Sequence, residues 1–517
     1  MPESGNERIR PATAKSGWRE RFQSRASSEN AAIALLLGYV ALAPIPYGEV
    51  LPAGMLTLEV LAFAILALTL FGRPRLRRLQ GLAVPGAAMI GLAALGLLQL
   101  VPIPGPILSL ISPASARVYS EASATLSAFG RQSPFPRISI APTETYDAIL
   151  LTLAYAALFF ASALLLRSRK KRRLFIVVLM SSAIVQVLVA TVIRGFFFSP
   201  DDPSAGRLHG AFVNANHFAG YLGIALAIAF GALWREVLMS KERGRQYSDR
   251  ARRFEMRFVY LAAWVLLWGI IAAGIGLTKS RGGILVAAAM TVAMLATALC
   301  HRRVRNRRLA FGIAGGAALA AGIGFTALAV KQQPILRFLA SDPRDPASDL
   351  RITLWRLSLD AWRQFPVAGA GLGAFREGFR RIQPRGLDYL VEYAHSDPLQ
   401  ILVNGGLIGF ALAAISLAGL AAALARRWAR EERREESAVL LAGLGALASL
   451  TLHGFVEFNL SIPAIPATLA CVLGLAWSAS LASDEEKERE RVRLSERIQI
   501  VSPIAAGQAG DGGAMSS

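Results

Sequence analysis

The sequence predicts an all-α polytopic membrane protein with about twelve transmembrane helices and one long outer loop that carries short helices of its own. Three observations predict it. Of 517 residues, 54% are apolar and only 18% are charged, with a mean hydropathy of +0.44, against roughly 45–50% and 25% for an ordinary soluble domain. The apolar residues fall in windows of about 20, the length a helix needs to cross a hydrocarbon core of ~30 Å. The basic residues gather in short clusters between alternate windows, the pattern that sets membrane orientation. A net charge of +21 and a pI near 10.8 would alone suggest a nucleic-acid binder, but the hydropathy outweighs them. Disorder, collagen and coiled coil are excluded by the same composition. Cys300 and Cys471 both lie in apolar runs and supply neither a disulfide framework nor a cysteine-based metal site.

Residues 1–30 form a polar, basic cytoplasmic leader, so the first apolar window reads as an uncleaved anchor rather than a signal peptide. The twelve predicted spans are 31–48, 50–71, 82–101, 145–166, 174–193, 212–234, 258–277, 283–300, 309–330, 398–425, 437–457 and 460–482. Pro44, Pro46, Pro85 and Gly96 fall inside them, where neighbouring helices can re-satisfy the backbone. With the N-terminus in the cytoplasm, 39 of the 56 Lys and Arg residues lie in cytoplasmic segments, among them Arg73–Arg78, Arg167–Arg173, Arg302–Arg308 and Arg426–Arg434. Both termini are therefore expected inside, with 483–517 as a solvated cytoplasmic tail. Spans one to nine occupy 31–330 and spans ten to twelve 398–482. Two outer loops exceed hairpin length: 102–144, rich in Pro and Ser, and 331–397, too long to be a connection only. In the second loop, Asp349–Phe365 has helical spacing, with Ser348 as N-cap and Pro366 as stop.

The chemistry-bearing residues gather near the outer ends of the spans. His395 stands in Glu392-Tyr-Ala-His395-Ser-Asp397, where the long loop re-enters the membrane. An imidazole can take a proton near neutral pH, and Asp397 or Glu392 could orient it; the competing reading is an interfacial histidine bonded to a loop carbonyl. Arg281, in the short turn Thr278-Lys-Ser-Arg281-Gly-Gly, is costly at that depth unless paired or facing water. With the amides of Gly282 and Gly283 it suits a phosphate or diphosphate; snorkelling to lipid headgroups is the alternative. On the loop helix, Arg351 shares a face with Trp355, Ser358 and Trp362, which favours docking on the bundle. Arg356 shares the other face with Asp360, its expected partner at i+4.

Asn214, Asn216 and His217 open span six, with His209 just before. They are expensive to bury unless they bind something or each other, and capping by Asn214 is the plainer reading. His453 and Glu457, four residues apart, read either as a proton relay or as a fixed pair within the bundle. His301 opens a basic cluster and carries no functional expectation. Gly369-Ala-Gly371-Leu-Gly373 lacks the preceding strand and following Lys-Ser/Thr of a phosphate loop and reads as a turn after Pro366. No metal-ligand spacing occurs, and no metal or cofactor is expected.

Asn214-Ala-Asn216-His217-Phe-Ala-Gly-Tyr221, Ser280-Arg281-Gly282, Arg351-x3-Trp355, Pro366-x2-Gly369-x-Gly371-x-Gly373-x-Phe375 and Ala394-His395-Ser-Asp397 occur in that order. Together they resemble the O-antigen ligase family, over about residues 200–480. His453-Gly-x-Val-Glu457-Phe-Asn459-Leu-x-Ile-Pro463 is similar to its exopolysaccharide-type members. The resemblance implies transfer of a glycan from a polyprenyl (undecaprenyl) diphosphate to an acceptor hydroxyl at the periplasmic face of a bacterial inner membrane. That reaction serves O-antigen ligation in lipopolysaccharide biosynthesis or polysaccharide polymerisation, and is inverting and metal-independent. It further implies His395 as general base, Arg281 and Arg351 on the diphosphate, and a glycan or lipid A-core acceptor. Ser396 and Asn404 stand where many members carry Asn and an acidic residue, which bears on acceptor choice.

A transporter or flippase of lipid-linked sugars would share the span count, although no matched halves are evident. A cell-wall polymerase of the shape-and-division type would need Asp349 or Asp397 as its essential group. The positive charge itself is a topology signal. Cytoplasmic segments carry +20 and everything else +1, so no nucleic acid is expected, and attraction for an anionic donor has to come from individual arginines.

Overall fold

The computed structural model describes residues 13–45, 47–72, 74, 76–197, 207–243, 250–300 and 346–481. The expected span 309–330, His301, the start of the long loop and the 483–517 tail lie outside the described residues. Among the described residues the chain is all α-helix and short 3-10 turns, in the order α1 Thr13–Leu42, α2 Pro52–Phe71, α3 Ala83–Leu100, α4 Gly105–Ile111, α5 Pro113–Ala128, α6 Pro142–Leu165, α7 Arg169–Phe197, α8 Ala215–Arg243, α9 Arg250–Leu277 and α10 Arg281–Cys300. There follow α11 Pro346–Gln364, α12 Phe375–Arg380, α13 Asp397–Arg430, α14 Arg434–Gly454 and α15 Ala464–Leu481.

Ten of these are long and apolar enough to cross a membrane, and Ser27–Leu42 within α1 is a shorter apolar stretch. Together they account for eleven of the twelve expected spans, and the protein is a polytopic helical membrane protein. Proline within the first turn starts α2, α6 and α13, where a missing N–H costs nothing. The first span stops at Leu42 rather than at 48, because the chain turns at Pro44 into a left-handed run through Tyr47, Gly48 and Glu49. The eleventh stops at Gly454 rather than 457, so His453 and Glu457 do not share one helical run.

α8 and α15 are buried along their whole apolar length and form the centre. α8 packs on α14 and α9, while α3 packs on α13 and α6, and α2 on α1 and α6. Segments that the charge pattern assigns to one side of the membrane do meet. At one end Arg172 and Glu436, both buried, pair at 3.2 Å, and Arg173 and Arg235 reach Glu435 at 3.2 and 3.3 Å. At the other end lie the 278–281 turn, the long loop and the α14–α15 connection.

The long loop is locked to the bundle by its glycine-rich turn. α13 is broken at Gly406, whose φ of 62° is open to glycine and strained for other residues. Into this break the turn after α11 inserts its backbone. Leu407 and Ile408 donate to the carbonyls of Pro366 and Val367 at 2.9 and 3.1 Å, while Ala370 and Gly371 donate to Val403 and Asn404 at 2.9 and 3.1 Å. A side chain on Gly369 (φ +75°) would stand 2.2 Å from the Asn404 carbonyl oxygen. Gln99 of α3, fully buried, completes the joint: its amide donates to Ala368 O at 2.6 Å and its oxygen accepts from Leu372 N at 2.9 Å. The expected turn reading is correct, and the irregular backbone is tolerated at this depth because protein surrounds it. Loop 102–144 folds into α4 and α5 and joins the same turn, with Ile140 N donating to Ala370 O at 2.8 Å.

Candidate active site

Glu457, in the turn between α14 and α15, is the hub of a polar cluster and is 1% exposed. Its Oε1 accepts from the Arg351 guanidinium and, at 2.5 Å, from the Asn216 amide. Its Oε2 lies 3.7 Å from His395 Nδ1. That separation is too long for a hydrogen bond, and both atoms are buried without another hydrogen-bond partner among the described residues. Burial raises the Glu457 carboxyl, and the field of the neighbouring Arg351 guanidinium pulls it the other way. Asn216 is steered in turn by Arg207, whose guanidinium reaches the Asn216 side-chain oxygen and whose Nε donates to Thr278 O at 3.0 Å.

Local structure explains these positions. Asn214 caps α8, its side-chain oxygen accepting from Asn216 N at 2.8 Å, which satisfies one orphan donor of the first turn. Capping is thus the role the structure gives Asn214, and it aims the next amide, Asn216, at Glu457. α11 presents Arg351 to the bundle on the face that also carries Trp355, whose indole N–H donates to His395 O at 3.1 Å. His395 takes φ +50°, an uncommon conformation for a side-chain-bearing residue. The imidazole rests edge-on against Phe458 at 4.8 Å, and His217 does the same at 4.5 Å.

Other expected residues take different places. Asp397 is buried, and its carboxylate accepts from Leu460 N at 3.1 Å. The carboxylate that approaches His395 Nδ1 is that of Glu457, while Asp397 joins α13 to the α14–α15 turn. Glu392 is exposed and points elsewhere, into a neighbouring groove. His217 Nδ1 lies 3.4 Å from the Asn459 side-chain oxygen. His453 is buried with Nε2 without a hydrogen-bond partner among the described residues, against the turn that holds Arg281: a side chain on Gly282 would meet that nitrogen at 3.4 Å.

Arg281 is exposed at the start of α10, on the same 278–281 turn that Arg207 grips. Of the two amides expected to assist it, that of Gly283 is taken by Ser280 Oγ at 3.2 Å. Arg356 is exposed on the far face of α11, and Asp360 pairs with Arg363 at 2.5 Å rather than with it. Among the described residues no group of three or more His, Cys, Asp or Glu is placed to hold a metal ion.

The sequence did not single out Arg207 or Phe458. Arg207 is one arginine in a polar connection, and only its return to Thr278 and Asn216 gives it a place. Arg351 reaches Glu457 directly and Arg207 reaches it through Asn216, while Arg281 starts α10 on the turn that Arg207 grips; guanidinium groups thus gather at this end of the bundle, which favours an anion. An imidazole, a buried carboxylate behind it and guanidinium groups beside it can take a proton from a hydroxyl while stabilising negative charge on a departing group.

Residues 262–414 match the family model described as O-antigen ligase. No match to the chain is found among curated proteins. The expected resemblance is borne out over that segment, which contains Arg281, Arg351 and His395.

Proposed function

With residues 262–414 identified as an O-antigen ligase segment, we propose that this membrane protein transfers a glycan from a polyprenyl diphosphate to an acceptor hydroxyl. O-antigen ligation and exopolysaccharide polymerisation are the two settings for that chemistry. The observation that carries the reading is the meeting of His395, Glu457 and Arg351 at one end of the bundle. The acceptor hydroxyl attacks the anomeric carbon of the donor sugar, and its proton passes to Nε2 of His395. The bond from that carbon to the phosphate oxygen breaks, and the diphosphate leaves with both electrons. Glu457 steadies the imidazolium that forms, while Arg351 and Arg281 take the charge developing on the leaving oxygen. One displacement at one carbon inverts its configuration.

The charge pattern supports an orientation with both termini in the cytoplasm and this site at the periplasmic face of a bacterial inner membrane. Asp397, held by Leu460 N, is poorly placed to replace His395, which weighs against the cell-wall polymerase alternative. The test is reconstitution of the purified protein in proteoliposomes with a polyprenyl-diphosphate glycan and candidate acceptors. His395→Ala is expected to lose at least ~10²-fold in turnover, the low end of a general base's contribution, while still binding donor. Transfer at the wild-type rate in that variant would remove His395 from the mechanism. Product length separates a ligase, which transfers en bloc, from a polymerase.

A further inference from the structure

A second feature lies one aromatic layer from His395. Tyr393 stacks on Phe458 at 4.2 Å, with planes 8° apart, and Phe458 carries His395 on its edge. Tyr393 also lines a groove of about 750 Å³ between α2, α3, α6, α13 and α15, a size typical of small-molecule sites. The groove follows α6 from Glu144 to Phe160, about 24 Å at 1.5 Å per residue. Its depth is apolar, walled by residues such as Leu151, Phe159, Leu417 and Leu469. Its mouth, at the end where His395 lies, carries Glu144, Asp147, Glu377 and Glu392, with the buried Asp397 behind them and Arg376 as the one cation in the lining. That cation is already committed, to Glu377 at 2.7 Å and Glu144 at 3.3 Å. Asp147 and Glu392 are exposed and make no side-chain hydrogen bond or ion pair among the described residues.

The geometry points to this groove as the site of the acceptor, a glycolipid whose hydrocarbon chain fills the apolar depth and whose uncharged sugars bond the carboxylate rim. The inference rests on the transfer reaction proposed above. Donor and acceptor must meet at His395, and the charges sort them. The arginines on one side attract a diphosphate; on the other, five acidic side chains, four of them at the rim, stand against one paired arginine and repel it. Carboxylates accept two or more hydrogen bonds each and suit sugar hydroxyls. An apolar channel about 24 Å long suits a long alkyl or prenyl chain.

The test uses the full chain in nanodiscs and a photoreactive dodecyl glucoside as probe. Labelling is expected within 144–160 and 413–420, competed by unlabelled dodecyl glucoside and not by dodecyl phosphate. Ala148→Trp, which narrows the groove, should weaken probe binding by about tenfold, or ~1.4 kcal/mol. The paired substitution Asp147→Lys and Glu392→Lys leaves the packing alone and should turn the preference towards dodecyl phosphate. Equal competition by dodecyl phosphate, displacement by bilayer phosphatidylglycerol, or labelling elsewhere overturns the inference. If no acceptor or donor supports transfer but the glucoside still binds here, the reaction fails and the acceptor role falls with it, leaving a glycolipid site. If transfer proceeds and Ala148→Trp raises KM for the donor rather than the acceptor, the reaction stands and the groove assignment falls.

Discussion

Glu457→Gln separates the two duties of the hub. The amide keeps an oxygen for the Arg351 guanidinium and the Asn216 side chain, so the fold should survive. What it removes is the negative charge 3.7 Å from His395 Nδ1. A unit charge at that distance from a forming imidazolium is worth about 1 kcal/mol at a water-like dielectric and ~4 kcal/mol at an effective value near 20. Arg351 already offsets part of the field, so the lower half of that range applies, about 1–2 kcal/mol, or roughly 5–30-fold in turnover. Initial rates of glycan transfer in proteoliposomes, alongside melting curves to confirm folding, give the measurement. In the His395→Ala background the same change should cost nothing further, since no imidazolium forms there. A wild-type rate for Glu457→Gln, or an equal loss in both backgrounds, would falsify the coupling and leave Glu457 a structural anchor only.

Three further outcomes follow from the joint and the strained turn. Gln99→Leu strands the Ala368 carbonyl and the Leu372 N–H in a buried place, about 1–3 kcal/mol for each; a melting temperature within error of wild type would contradict the role given to this amide. Gly369→Ala forces a methyl against the Asn404 carbonyl at a left-handed φ, costing about 2–5 kcal/mol from conformation and crowding together; protease sensitivity of the long loop should rise with the loss, and an unchanged digest would sink the idea. Burial pushes the Glu49 carboxyl up to about 8, against the opposing pull of the Tyr39 hydroxyl. Its folded value lies above its unfolded one, near 4.3, so its contribution is whole below that pH and is lost as the pH rises towards 8. Glu49→Gln should therefore flatten the stability profile across that window and be the more stable form at its upper end; parallel profiles would refute the buried-acid assignment.

The spans were legible because each property that defines them is local: about 20 apolar residues, flanked by charge on alternate sides. Helix ends were less so. The first span was drawn through Pro44 to 48, whereas the chain turns at once into the left-handed run at Tyr47–Glu49. His395, Arg281 and Arg351 stood out as costly residues at a membrane boundary. The carboxylate behind His395 did not, since Asp397 is two residues away in sequence and Glu457 is sixty-two. Nearness in sequence favoured Asp397, whose carboxylate the structure places on the backbone of Leu460. Arg207 carries no local sign at all, because its meaning lies in Thr278 and Asn216, on two other elements.

The insertion of the 366–371 turn into broken α13 bears on how such proteins can be recombined. Two stretches of chain share one set of main-chain hydrogen bonds, each supplying what the other lacks. The long loop is therefore not a cassette. A chimera that imports a relative's loop and keeps the host's α13 inherits the donor's turn without the matching gap. Exchange boundaries belong beyond Gly406, so that the insert and the helix that receives it travel together.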